Sequence, residues 1–331
     1  MSMKVLIHRY NNICEPDYIR AFHTIGLEVI EDREEMTRKS IPGDERVETM
    51  ARLILENRPL FVFTINFFPY ISDICERLHV FYLCVSVDCP VEEIYDRAIR
   101  NSMNRVFLFD RDQYLSVRDE NPACIFHMPL GADVDRIDSE IGAFGGEETY
   151  EYDLSFVGSL YNEAHRTPQD ALTCKDRTDL LNTLAAGLQG YGVHLFTRSD
   201  TSSLNGVICH GGVHTHREMP AVFRHSRIDL HTTMREIHTG LPQRVWDILA
   251  SGGFLLSDAQ AEIPEYLEIG KHLDVYESAE EAVKKARYYL THDDERRAIA
   301  LAGYEEVKAH HRVIDRVIAM ISAVVSDPRA S

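Results

Sequence analysis

The chain has 331 residues, 44% of them apolar and 27% charged, which suits a globular protein of two ordinary domains and argues against wholesale disorder. Its 35 basic and 53 acidic side chains leave a formal charge of −18, which disfavours a broad surface for nucleic acid or anionic membrane. An anionic ligand must then be held locally, by a few placed arginines and helix ends.

The opening residues MSMKVLIHRYNN hold only a short apolar run before His8 and Arg9 and read as a first β-strand, not a signal peptide. Strands are predicted at Lys4–His8, Leu27–Glu31, Leu60–Ile65, Val80–Val85, Arg105–Phe109 and Cys124–His127. Between them, apolar residues at three- and four-residue spacings predict helices over Pro16–Ile25, Asp44–Asn57, Phe68–Leu78, Pro90–Arg100 and Arg111–Val117. Such alternation is the pattern of a parallel sheet wrapped on both faces. The acidic, glycine-bearing stretch Gly131–Tyr152 lacks periodicity and reads as a linker, so domains 1–150 and 151–331 are expected. The second half repeats the pattern. Strands are predicted at Leu154–Val157, His194–Phe196, Ile228–His231, Phe254–Ser257 and Leu273–Tyr276, and helices at Asp176–Gly187, Arg217–Arg224, Pro242–Ser251, Ile263–Ile269 and Ala279–Leu290. Two more helices, Asp293–His310 and Val313–Ser326, end the chain, the last one expected to return to the first domain. Two α/β domains facing a cleft would bring strand carboxyl ends together there.

The most informative stretch is RIDLHTTMREIHTGLPQRVWDILASGG, Arg227 to Gly253. A buried strand around Ile228 and Leu230 is followed by Gly240, Leu241 and Pro242, and proline is favoured at the first position of a helix. The free N–H groups and partial positive charge of that helix end suit a diphosphate, with Arg244 a bidentate donor one turn in. Asp247, three residues on, is placed to accept ribose hydroxyls.

The stretch from Leu241 to Val307 resembles the glycosyltransferase module of spore-maturation CgeB-like proteins, and FTINFFPYISDICERL, SVDCP, RVFLFDRDQY and MPLGADVDR are similar to the half that accompanies it. The resemblance implies a two-domain GT-B fold related to group-one glycosyltransferases. It also implies a nucleoside diphosphate sugar, uridine-linked, as co-substrate in the second domain, an acceptor in the first, and retaining transfer without a metal. In that alignment the loop Phe156–Ser159 places Gly158 and Ser159 against the diphosphate, and Arg244 and Asp247 match an R-V-x-[DE] element. Thr239 stands where group-one enzymes carry the first of two glutamates, and the connection from Tyr161 to Asp176 is short; both bear on competence for transfer.

In the first half, Asp88 follows a predicted strand and either contacts a sugar or acceptor hydroxyl or caps a helix starting at Pro90. Asn66 has the same two readings. His127 at the end of its strand either lines the cleft or is a satisfied loop histidine. Arg198, after His194–Phe196, either approaches the base or is a solvated loop residue. Glu262 and Glu265 cap a helix, or one of them supplies the carboxylate absent at Thr239. The run CHGGVHTH at Cys209–His216 follows no zinc spacing, and a loop over the nucleobase is the plainer reading. Seven cysteines without a C-x-x-C pair point to reduced thiols and a cytoplasmic location, no run of eighteen apolar residues suggests a membrane span, and no cofactor or metal is expected. The acceptor, whether glycan, protein or small molecule, stays open. A sugar-nucleotide epimerase on the same scaffold and a catalytically impaired nucleotide-binding module are the alternatives.

Overall fold

The computed structural model describes residues 3–38, 40–145, 149–160, 176–327 and 329. They form two compact units, one comprising Met1–Leu130 with Val313–Ser331, the other Gly131–Arg312.

The first unit runs β1 (Lys4–His8), α1 (Glu15–Thr24), β2 (Glu28–Asp32), α2 (Glu34–Thr37), α3 (Gly43–Asn57), β3 (Phe61–Ile65), α4 (Pro69–Leu78), β4 (Phe81–Val85), β5 (Asn104–Leu108), α5 (Arg111–Val117) and β6 (Ile125–His127). All strand pairs are parallel, in the order β2-β1-β3-β4-β5-β6. The strands Phe61–Ile65, Phe81–Val85 and Asn104–Leu108 are buried along their whole length, the first two almost entirely apolar, because both faces of the sheet are covered. One face packs Leu6, Val62, Tyr82, Cys84 and Val106 against Met50 and Ile54 of α3 and Ile71, Ile74 and Cys75 of α4. On the other, Tyr18 and Phe22 of α1 meet Phe61 and Phe63 with ring centroids 5.0 to 5.8 Å apart. The C-terminal helix Val313–Val325 packs on α1 and β5, as its apolar face predicts. Arg105 of β5 is buried and holds that helix end, donating to Ala323 O at 3.0 Å and to the carboxylate of Asp327.

The second unit runs α6 (Val134–Ile141), β7 (Tyr152–Val157), α7 (Arg177–Gly187), β8 (Val193–Phe196), β9 (Ile208–His210), α8 (Met219–Arg224), β10 (Ser226–His231), α9 (Gln243–Ala250), β11 (Leu255–Asp258), α10 (Ile263–Tyr266), β12 (Asp274–Tyr276), α11 (Ala279–Tyr289) and α12 (Asp293–His310). Its sheet is also parallel throughout, ordered β12-β11-β10-β7-β8-β9. Leu154, Phe156, Leu195 and Leu230 pack with Leu180, Leu181 and Leu184 of α7 and Ala282, Ala286 and Tyr289 of α11. Gly253 lets α9 approach the sheet: a Cβ there would lie 2.2 Å from Asp229 Oδ2 and 3.0 Å from Ile248 Cγ2.

The two units share an architecture but not a strand order. In the second, the chain winds outward from β7 to β9, then restarts at β10 and winds the other way, as in the dinucleotide-binding order. Its switch point is between β7 and β10. In the first, β1 lies between β2 and β3, a flavodoxin-like order with the switch point between β1 and β3.

Four expectations change. The units divide at Leu130/Gly131 and Arg312/Val313, not at 150/151. The expected linker holds α6, whose Val134 and Ile137 are buried and whose first turn is capped by Asp133 accepting from Arg136 N–H at 3.1 Å. The helix predicted over Pro90–Arg100 is two 3₁₀ turns, Glu92–Tyr95 and Arg97–Arg100, because Asp96 is extended between them and accepts from Ala98 N–H at 2.8 Å. The strand Ile208–His210 adds a sheet edge inside a segment read as loop. The Tyr161–Asp176 connection lies, up to residue 175, outside the described residues. Among the described residues no helix is long and apolar enough to cross a membrane.

Candidate functional site

In open parallel sheets ligands bind beyond the strand carboxyl ends, at the switch point, because the diverging loops leave a crevice there. In the second unit that crevice lies between the loops after β7 and β10, and one side chain ties them together. Arg177, at the first position of α7, is 8% exposed and donates to Ser159 O at 2.7 Å and Thr232 O at 2.8 Å. Its guanidinium also lies over the Phe156 ring, 5.3 Å from the centroid. A cation at a helix amino end opposes the macrodipole, so its presence beside the cap Asp176 signals a demand other than helix stability. The sequence reading passed over it.

Gly158 and Ser159 therefore stand at the switch point. An added Cβ on Gly158 would meet Phe156 Cε1 at 3.1 Å, with Arg177 Nη1 at an ordinary 3.6 Å, so the small residue makes room for the ring on which this guanidinium lies. Arg198 is exposed after β8, its stem lying on Gly212, where a Cβ would come within 2.5 Å of Cγ.

Beyond β10 and β11 a buried polar cluster follows. Thr233 donates to Asp258 Oδ1 through its N–H at 2.8 Å and its hydroxyl at 3.0 Å, and Gln260 donates to Asp258 Oδ2 at 3.2 Å. Glu262 N–H donates to Thr239 O at 3.2 Å, which brings a residue that is 1% exposed beside Thr239. Glu265 is exposed. Gly240 and Leu241 are buried in the turn that leads into α9.

The turn differs in detail from expectation. Pro242 is the extended cap residue, with φ −68° and ψ 161°, and α9 begins at Gln243. Gln243 Nε2 donates to Asp247 Oδ1 at 3.0 Å and to Gly131 O at 2.9 Å, so the largely buried Asp247 carboxylate already has one partner. Arg244 lies over the Phe223 ring at 5.7 Å and donates to the Met219 sulfur, directed at α8.

The histidine-rich segment divides. His210 in β9 stacks on Phe196, with centroids 4.4 Å apart, and its Nε2 is 3.0 Å from His194 Nδ1. Burial, then the neighbouring His210, lowers the pKa of His194. His214 and His216 lie in the turn before α8, where burial and then Arg136 lower the pKa of His216 while Asp247 opposes them. Among the described residues no three metal-ligating side chains gather.

The switch point of the first unit is built differently. Tyr10, two residues past β1, accepts from Asn66 Nδ2 and from Asn12 Nδ2, each at 3.2 Å. Asn66, one residue past β3, has the left-handed φ of 57° that asparagine tolerates. It donates to Asp88 Oδ2 at 2.6 Å, and its Oδ1 accepts from Val87 N–H at 3.1 Å and Asp88 N–H at 3.4 Å. Asp88 is exposed and caps no helix, since none begins at Pro90. Around them Tyr10 meets Phe68 and Phe68 meets Tyr70, with centroids 5.3 and 6.1 Å apart. Beneath, buried His8 pairs Nδ1 with Asp32 Oδ2 at 2.8 Å. Burial, more than any neighbour, raises the Tyr10 and Tyr70 phenols far above their ordinary range, so both keep their protons. His127 ends β6, half-buried and 5.8 Å from the Tyr114 ring, several strands from Asp88's partners at β1 and β3.

Residues 177–322 match a family model described as Glycosyl transferase-like, which spans the second unit from α7 onward and most of the C-terminal helix. No curated protein matches the sequence. Among solved structures, a glycosyltransferase from Rickettsia africae aligns with a TM-score of 0.70 at 11% identity, covering 98% of this chain and 99% of that one. Anabaena HepE in complex with UDP aligns at 0.61 and 12% identity over 97% and 99% of the two chains. The T4 phage β-glucosyltransferase aligns at 0.64 and 10% identity over 98% and 100%. At such identities the likeness carries the fold, and the two six-stranded parallel sheets with their helices are those of GT-B glycosyltransferases.

Proposed function

We propose that this protein is a glycosyltransferase that takes a sugar from a uridine diphosphate donor bound by the second unit and passes it to an acceptor bound by the first. The observation that carries the reading is Arg177 bridging Ser159 O and Thr232 O, which fixes both loops of the second sheet's switch point, Arg177 and Thr232 lying within the segment of glycosyltransferase-like sequence. HepE and the T4 phage enzyme, described with UDP and with UDP-glucose, lend support.

In this reading the Gly158–Ser159 loop and the turn Thr239–Leu241 face the diphosphate, and Arg244 swings from Met219 to meet it. Donors placed before the reaction stabilise the negative charge that grows on the leaving diphosphate, and they do so without reorganisation. Asp247 receives the ribose hydroxyls in exchange for Gln243. Glu262 supplies the sugar-facing carboxylate that Thr239 cannot. Transfer with retention, independence of metal and kinship with the CgeB-like group are part of the same proposal, as is a reducing compartment, in keeping with seven cysteines that form no C-x-x-C pair.

Titration calorimetry with UDP and UDP-glucose tests it. We expect binding that weakens at least tenfold, or about 1.4 kcal/mol, in Arg244→Ala. Unchanged affinity in that variant overturns the donor-site assignment, and conversion of the sugar nucleotide to an isomer without transfer overturns the reaction in favour of epimerisation.

A further inference from the structure

We infer that the switch point of the first sheet binds an uncharged, hydroxyl-rich ring, so that the acceptor is a neutral saccharide; this rests on the glycosyl-transfer reading above. Position comes first. Tyr10 and Asn66 follow β1 and β3, the two strands whose connections diverge, which is where an open sheet leaves room for a ligand.

The chemistry of the lining is the second argument. Tyr10, Phe68 and Tyr70 are half-buried, and their rings are inclined to one another by 67° and 85°, so neighbouring faces and edges are offered together. The faces of a sugar ring are patches of C–H groups that pack on such surfaces, while its hydroxyls need donors and acceptors at the rim. Both are present. Asp88 presents an exposed carboxylate held by Asn66, and Tyr10 accepts two N–H groups while its own O–H proton meets no acceptor among the described residues. Asn66 is committed through both ends of its amide and acts as the positioning residue, and its left-handed backbone is the sort of local cost that functional sites retain.

Charge decides which hydroxyl-bearing ligand fits. Arg9 is engaged by Glu15 at 3.0 Å and by Glu31, and Arg46 by Glu35 at 3.1 Å. These guanidiniums are matched by carboxylates, while Asp32 and Asp88 add further negative charge. A phosphate or uronate would meet repulsion here, and a nucleic acid would meet it across a chain of net charge −18.

The test is saturation-transfer NMR on the full chain with maltotriose, cellotriose and chitotriose as probes, a short DNA duplex as the rival polymer, and UDP titrated into the same samples. We expect at least one trisaccharide to bind, the duplex not to bind, and affinity to fall at least tenfold in Phe68→Ala and in Asp88→Ala. Melting midpoints are read alongside, and Tyr70→Phe, which keeps the ring, should retain binding if Phe68→Ala proves unstable. Failure of all three saccharides while UDP binds overturns this inference alone; failure of UDP as well overturns the transferase reading with it. Duplex binding, or saccharide binding indifferent to both substitutions, overturns the assignment of this surface.

Discussion

The two switch points solve opposite problems with the same sheet geometry. At the second, a buried guanidinium and a buried carboxylate, Arg177 and Asp258, hold loops by hydrogen bonds that leave little to solvent. At the first, half-buried aromatic rings and an exposed Asp88 present partly open surface. Rigid, preorganised donors suit a ligand whose charge changes during reaction, whereas an open shelf suits one that arrives, reacts and leaves. If so, substitutions at the second should cost stability and those at the first should cost binding while leaving the fold intact.

The largest effect should follow Trp246→Ala. Trp246 is fully buried in α9, its ring tilted against His311 with centroids 4.7 Å apart, and its loss should cost about 3–5 kcal/mol in denaturant unfolding. A cost near zero would mean the α9 foundation of the second switch point is not rigid. Arg177→Ala comes next: deleting two hydrogen bonds from a charged donor should lower stability by about 1.5–3 kcal/mol and weaken UDP binding, read by thermal melting with and without nucleotide.

Asp229→Asn probes the interior of the second sheet. Asp229 accepts from Ser155 Oγ at 2.7 Å in a fully buried setting, and burial holds its carboxyl well above the ordinary carboxylate range. The folded chain keeps a proton that the unfolded chain releases, so this contribution is complete below the unfolded value and is lost as pH rises through the folded one. Asparagine has no such proton to lose, and its stability relative to the parent should rise with pH across neutrality; a parallel pair of curves would show that Asp229 is ionised in the fold. The smallest effect on stability should come from Asp88→Ala, within about 0.5 kcal/mol. A larger loss would show that the Asn66–Asp88 contact holds the fold as well as a ligand.

What could be read from the sequence follows the same contrast. Buried strands such as Val5–Ile7 and Phe61–Ile65 are legible because sheets covered on both faces need unbroken apolar runs. The edge strand Ile208–His210 was not, since its three residues are exposed or half-buried and it opens a glycine- and histidine-rich run that resembles a loop. The turn Thr239–Leu241 was legible from glycine and proline, but the direction of Arg244 toward Met219 depends on α8, over twenty residues away. Asp88 was found from its place after a strand. Asn66 was marked in the same way, but Tyr10 was missed because it lies 56 residues from Asn66 and meets it only through the strand order. Local signals mark strand ends; which ends become neighbours is decided by topology.

The C-terminal helix belongs to the unit that the chain begins. During synthesis, therefore, residues 1–130 emerge before the helix with Val317, Met320 and Val324 that packs on α1 and β5, while 131–312 form a continuous stretch of chain. The first unit therefore completes its packing on α1 and β5 only once Val313–Val325 is made, after every residue of the second unit.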